Sequence, residues 1–215
     1  MPAKKKPRVQ VAWRSALIPL SLVFMFLLWR VFHAPVWALA LFSLWVPLYY
    51  IVYPMVLRKK WEEFEKSFSY LFQKGDYKLL LEHYTSQWFL RRFGPRSEML
   101  AKLGLVYSAL DRYREAEQAF ERAVKTARPA QKDRLLFNLA NVKYELNKLK
   151  EAAAIYRSLK PGSPYRHASQ TQLALIEVHQ GAGGDESVSI LERELERTSG
   201  PGAQRLREAL ELAQK

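Results

Sequence analysis

The chain has no cysteine among its 215 residues, which excludes disulfide staples, thiolate metal sites and cysteine nucleophiles. Its four histidines, His33, His83, His167 and His179, stand too far apart for a metal-ligand spacing, so each is read as a surface or loop residue. Catalytic signatures are missing as well. There is no glycine-rich phosphate loop ending in Lys-Ser/Thr, no His-Glu-x-x-His, no Gly-x-Ser-x-Gly and no carboxylate pair in a cleft-like context. The expectation is a protein that is not an enzyme, with no cofactor, no metal and no small-molecule substrate.

Acid is absent from the N-terminal quarter. Nine of the 34 basic residues precede Trp61 and none of the 21 acidic residues does, so only +4 of the net +13 belongs to the rest of the chain. Lys4, Lys5, Lys6, Arg8, Arg58, Lys59 and Lys60 flank an apolar region. Basic residues in that position are read as a topology signal and as contacts to anionic lipid headgroups, not as a nucleic-acid stripe. Membrane lipid is therefore an expected partner and nucleic acid is not.

The apolar region consists of two runs, Ala16 to Phe32 and Val36 to Leu57, the second of them 22 residues without a charge. At about 1.5 Å per residue such a helix spans roughly 33 Å, enough for a hydrocarbon core of about 30 Å. Trp13, Trp29, Trp37, Tyr50 and Tyr53 lie near the ends, where amphipathic rings favour the headgroup level. The short connection Arg30 to Pro35 makes the two helices antiparallel neighbours, and basic residues in the flanks outnumber those in the turn eight to one. The expectation is an integral membrane protein with two spans over 13–57, both termini cytoplasmic, in a bacterial inner membrane. Residues 1–12 form its basic cytoplasmic tail. A cleaved secretory signal is the weaker alternative, since no small-x-small site follows the first run. Pro19, Pro47 and Pro54 predict kinks, and the lack of Asp, Glu or Lys within the spans argues against an ion path.

After Lys60 the pattern becomes that of charged amphipathic helices with internal self-similarity. From Ser97 to Pro129 the chain carries Leu103-Gly104-x-x-Tyr107, then Ala116, Phe120, Ala123 and Pro129, with Asp111, Arg112 and Tyr113 at the turn. This stretch resembles the tetratricopeptide repeat. Thirty-six positions on, Leu139-Ala140, the turn Leu146 to Leu149, Ala152, Tyr156 and Pro161-Gly162 repeat it, except that Lys143 stands where the repeat usually has Tyr. A third unit is expected to start with Ser163 as N-cap and Pro164 at the first helical position, and to break at Gly181 to Gly184. Phe64, Leu71, the turn Gly75-Asp76-Tyr77 and Tyr84 keep similar intervals in a degenerate unit that precedes the clear one.

The expected fold is all-α: a transmembrane hairpin, juxtamembrane helices with a degenerate repeat over 58–96, and repeats over 97–202. A capping helix over 203–215, with Leu206, Leu210 and Leu212 as its apolar residues, completes a short α-solenoid of three to four helix pairs. Arg91, Arg92 and Arg96 interleave with Trp88, Phe89 and Phe93, a mix read as a membrane-surface or inter-repeat element in preference to a single-strand nucleic-acid platform.

The resemblance implies protein binding in a concave groove lined by the first helix of each pair. Lys102, Leu105, Arg134, Phe137, Asn138, Asn141 and Gln172 are the positions expected to face it, with Ala109 and Leu175 beside them. Some members of the family grip C-terminal carboxylates with lysines and asparagines. Here only Asn138 matches, with Ala101, Leu105, Ala168 and Gln172 at the other places, so a chaperone-tail receptor is not expected. Two functions remain open: a membrane-anchored scaffold or adaptor that binds a protein partner, or an accessory subunit or assembly factor of a larger membrane complex whose hairpin packs against other spans.

Overall fold

The computed structural model describes residues 48–213, together with Val23, Phe24, Phe26, Leu27, Trp29, Arg30, Pro35 and Trp37. The chain divides into two compact units, Met1–Phe64 and Glu65–Lys215.

A π-helical turn, Leu48–Val52, leads into α1, Tyr53–Lys74, whose residues up to Phe64 belong to the first unit and from Glu65 on to the second. Among the described residues no helix is long and apolar enough to cross a membrane. That overturns the expectation of a two-span integral membrane protein with cytoplasmic termini in a bacterial inner membrane. Residues 13–22 and most of 31–47, where the expected spans run, lie outside the described residues. The end of the second run shows a physical reason. Its last residues do not close an apolar helix but open α1, whose middle carries Arg58, Lys59, Lys60, Glu62, Glu63, Glu65 and Lys66. Arg58 Nε pairs with Glu62 Oε1 at 2.9 Å, one turn along the same helix.

The second unit is a stack of antiparallel helices: α2 (Tyr77–Ser86), α3 (Trp88–Phe93), α4 (Arg96–Ala109), α5 (Tyr113–Thr126), α6 (Pro129–Glu145), α7 (Leu149–Ser158), α8 (Arg166–His179), α9 (Asp185–Leu195) and α10 (Pro201–Ala213). From α4 to α10 each helix packs on the next, and α10 also reaches α8. All-α, solenoid-like packing is thus what the repeat pattern predicts and what the chain adopts.

The densest junction follows directly from the sequence. Ala116, Ala119, Phe120 and Ala123 recur at helical spacing and are all buried on one face of α5. Facing them, Gly104 of α4 leaves so little room that an added Cβ would meet the Phe120 ring at 2.8 Å. Small residues on both helices let the backbones approach, and the ring fills the remaining space with Leu135, Leu139 and Val142 of α6. Ser97 Oγ donates to the Ala123 carbonyl at 3.1 Å, closing the pair at its open end.

The reversals share one design. Gly75, Asp111, Asn147 and Gly181 have positive φ, at 77°, 56°, 58° and 68°, and stand 36, 36 and 34 positions apart. At each, the following amide donates to the carbonyl five residues before it: Asp76 to Leu71, Arg112 to Tyr107, Lys148 to Lys143 and Ala182 to Glu177, over 2.9 to 3.2 Å. The left-handed residue's own amide bonds three residues back at all four places. This is the paired bond pattern of a Schellman helix end, which glycine, asparagine and aspartate tolerate best.

Two local expectations are corrected. Ser163 and Pro164 do not start a helix: Ser163 is buried in a turn, its carbonyl accepts from Arg166 N–H at 3.0 Å, and α8 begins at Arg166. In α10 the buried face is Ala203, Leu206 and Ala209, whereas Leu212 is 49% exposed, because six residues from Leu206 is nearly two turns less a third and points away. Of the arginine and aromatic cluster, Trp88, Phe89, Arg91, Arg92 and Phe93 lie on the six-residue helix α3, and Arg96 opens α4. In α3 Leu90 is buried, Trp88 is 69% exposed, and Phe89 meets Trp88 edge-on and Phe93 at a tilt, at centroid distances of 5.9 and 5.2 Å.

Gly104→Ala should lower stability by about 1 to 2 kcal/mol, because overpacking against a buried ring outweighs the roughly 1 kcal/mol gained in helix propensity. Equilibrium urea unfolding measures it; an equal or higher midpoint would show that the close approach of α4 and α5 is not a constraint.

Candidate functional site

Two of the first helices, α6 and α8, bound with α10 an open cavity of about 530 Å³. α6 contributes Asn141, Tyr144 and Glu145; α8 contributes Thr171, Gln172, Leu175 and His179; α10 contributes Arg205, Leu206, Glu208 and Leu212. Glu194 of α9 and Thr198 complete the wall. Leu175 and Leu206 are buried in the core of α8, α9 and α10 and make the cavity's apolar part. Its depth comes from α10, which packs on both α8 and α9 and so stands across the end of the row.

The polar groups around it have definite partners. Asn141 Oδ1 accepts from the buried Tyr156 hydroxyl at 2.6 Å, and burial pushes that phenol well above its ordinary range. His179 places Nδ1 2.7 Å from the Leu175 carbonyl, and its ring meets Tyr144 edge-on at 6.3 Å. Arg205 Nη1 lies 3.4 Å from Glu145 Oε1. The Glu145 carboxylate is felt by three phenols, Tyr156 among them. Burial, then its charge, raises Tyr144. Tyr113 is raised to about 12, chiefly because its hydroxyl donates to Asp111 Oδ1 at 2.8 Å, with burial and Glu145 adding to it.

Of the positions read from the sequence as facing the groove, the structure brings Asn141, Gln172 and Leu175 to this cavity. Lys102, Leu105, Arg134 and Phe137 make contacts between helices. Lys102 Nζ sits 3.1 Å from Glu65 Oε1 and 4.4 Å from the centre of the Phe68 ring. Leu105 packs on the core shared by α4, α5 and α6. Arg134 Nη2 is 2.6 Å from Glu98 Oε2, whose other oxygen accepts from Gln131 Nε2 at 2.6 Å. Phe137 lies between Tyr156 and Tyr165, at 5.9 and 5.4 Å, and Asn138 is half-buried on α6. Lys4, Lys5, Lys6 and Arg8 lie outside the described residues, and Arg58, Lys59 and Lys60 are exposed on α1.

The sequence departure at Lys143 proves to be an ionic knot between three helices. Lys143 is 6% exposed, and its Nζ donates to Glu117 Oε1 of α5 and Glu151 Oε2 of α7, both at 2.6 Å. Glu121 lies 3.7 Å away, and Lys148 Nζ adds two 2.8 Å bonds to Glu117. Burial opposes the charged form of both partners, and the hydrogen bonds overcome it: Lys143 is raised and Glu117 lowered. Asking which acids share the junction of α5, α6 and α7 would have found the set. Among the described residues no group of three or more His, Cys, Asp or Glu side chains could hold a metal ion.

Lys143→Met leaves Glu117, with a side chain 12% exposed, to Lys148 alone and should cost about 2 to 4 kcal/mol near neutral pH, toward the lower end of a broken buried pair. The Glu117 contribution is present above the unfolded carboxylate's value and fades as pH falls through its depressed folded one. The Lys143 contribution is lost only as pH rises through its raised value. The gap between wild type and variant, read from urea midpoints, therefore narrows in acid; equal midpoints at neutral pH would remove the knot from the stability account.

A comparison with curated proteins finds no match to the chain. Residues 97–129, the segment that spans α4 and α5, match the family model for the tetratricopeptide repeat, so this helix pair is similar to a tetratricopeptide repeat, a unit found in protein–protein interaction scaffolds.

Proposed function

We propose that the chain is a scaffold or adaptor that holds a protein partner against the face made by the first helices of its pairs. On this reading α6 with α7, α8 with α9, and the C-terminal part of α1 with α2 are further repeats around the unit at 97–129, and α10 is the cap. The observation that carries it is the left-handed reversal recurring at Gly75, Asp111, Asn147 and Gly181. A fixed reversal after a nearly fixed length gives a nearly fixed rotation between neighbours, and that rotation makes one side of the stack concave. Asn141 and Gln172 are the partner-facing members of the row, while Lys102, Leu105, Arg134 and Phe137 hold the row together.

Photo-crosslinking in cells from a reactive residue at Gln172, compared with one at Lys150 on the exposed side of α7, tests the reading. A discrete crosslinked protein from position 172 and none from 150 is expected. Labelling from both positions alike, or from neither, would dismiss the first-helix face as the binding surface.

A further inference from the structure

The cavity walled by α6, α8 and α10 has a charge opposite to that of the chain around it. Three carboxylates, Glu145, Glu194 and Glu208, stand among its lining residues against one guanidinium, Arg205, which is directed at Glu145. The whole chain carries +13. Glu194 has His167 Nδ1 at 3.7 Å, and Glu208 accepts from Gln204 Nε2 at 3.1 Å. Neither contact cancels a carboxylate charge with a lysine or arginine. The same lining holds Leu175, Leu206, the Tyr144 ring and the exposed Leu212. A volume of about 530 Å³ falls inside the roughly 300 to 1,000 Å³ of sites that enclose a ligand. It exceeds what one amino-acid side chain fills.

We infer that this cavity receives a segment of a partner protein in which a lysine or arginine stands next to a leucine- or phenylalanine-sized side chain. The apolar side chain covers Leu206 and Leu212, and the cation lies between Glu194 and Glu208. The inference rests on the scaffold reading and narrows its partner. Charge complementarity selects the occupant. An acidic tail would bring its carboxylates against three others, and like charges in a partly desolvated site are penalised. A purely apolar segment would leave the acids dehydrated without a counter-charge. The long-range field of a basic chain slows basic ligands, but it is screened beyond about 8 Å at physiological salt, whereas contacts within the cavity are not.

The test uses the full-length protein, immobilised, and three pools of short acetylated and amidated peptides with a central Leu-Arg, Leu-Glu or Ser-Arg pair and randomised flanks. The Leu-Arg pool should be retained at least about tenfold better than either other pool. The double variant Glu194→Gln/Glu208→Gln should reduce that retention by about tenfold, the effect of two partly exposed ion pairs. Leu212→Ser, at an exposed position that the fold does not need, should reduce it as well, with thermal midpoints near that of the wild type. Retention of Leu-Glu equal to or above Leu-Arg overturns the inference. So does undiminished Leu-Arg retention by the double variant, which leaves the scaffold reading standing. If no pool is retained, the inference falls, and crosslinking at position 172 decides the scaffold reading separately.

Discussion

Each helix pair reverses on one residue held at positive φ, and the positions of the remaining side chains depend on that reversal. The left-handed residue lets two amides turn back onto the carbonyls of the helix just ended, so the chain leaves at one reproducible angle with few orphan acceptors. For a residue with a Cβ this conformation costs about 1 to 2 kcal/mol. At Asp111 a local bond offsets part of that cost, because its carboxylate accepts from the Tyr113 hydroxyl at the start of the next helix. With the exit angle set, the Phe120 ring meets Gly104, and the pair closes tightly.

The same backbone position carries four different side-chain solutions. Leu71, Tyr107, Lys143 and Glu177 each supply the carbonyl that accepts the far bond of the reversal. Tyr107 lies beneath the Arg112 guanidinium, 4.7 Å from its ring centre. Lys143 is enclosed by carboxylates, and Glu177 accepts from Ser187 Oγ at 2.6 Å and faces Arg157 at 3.6 Å. Backbone geometry is therefore repeated while the chemistry between neighbours is not. A buried lysine that needs Glu117 and Glu151 together permits one order of helices, since a shifted stacking would leave a charge buried and alone.

The helical content and the reversals were legible because both are short-range. Ala116, Phe120 and Ala123 show their shared face within eight residues, and Gly75 and Gly181 announce turns by lacking a Cβ. Lys143 was visible as a departure, but its partners were not, because Glu117 lies 26 positions before it. The groove positions read from the first-helix pattern divide for a similar reason. Arg134 has the right helix face, yet a carboxylate 36 positions earlier captures it. Hydropathy misled over the N-terminal quarter, since a charge-free run does not reveal that the helix bearing its last residues continues into Arg58, Lys59 and Lys60.

By itself the sequence determined an all-α chain, the clear repeat at 97–129 and where the helices turn back, because helix periodicity and the tolerance of a left-handed residue are properties of neighbours along the chain. Tertiary structure alone decided that Lys143 is buried among acids, that Leu212 is exposed, and that Tyr144, Glu145, Glu194, Arg205 and Glu208 surround one cavity with Asn141 and Gln172. Those placements depend on the rotation accumulated from one helix pair to the next, and no local stretch of residues encodes that sum.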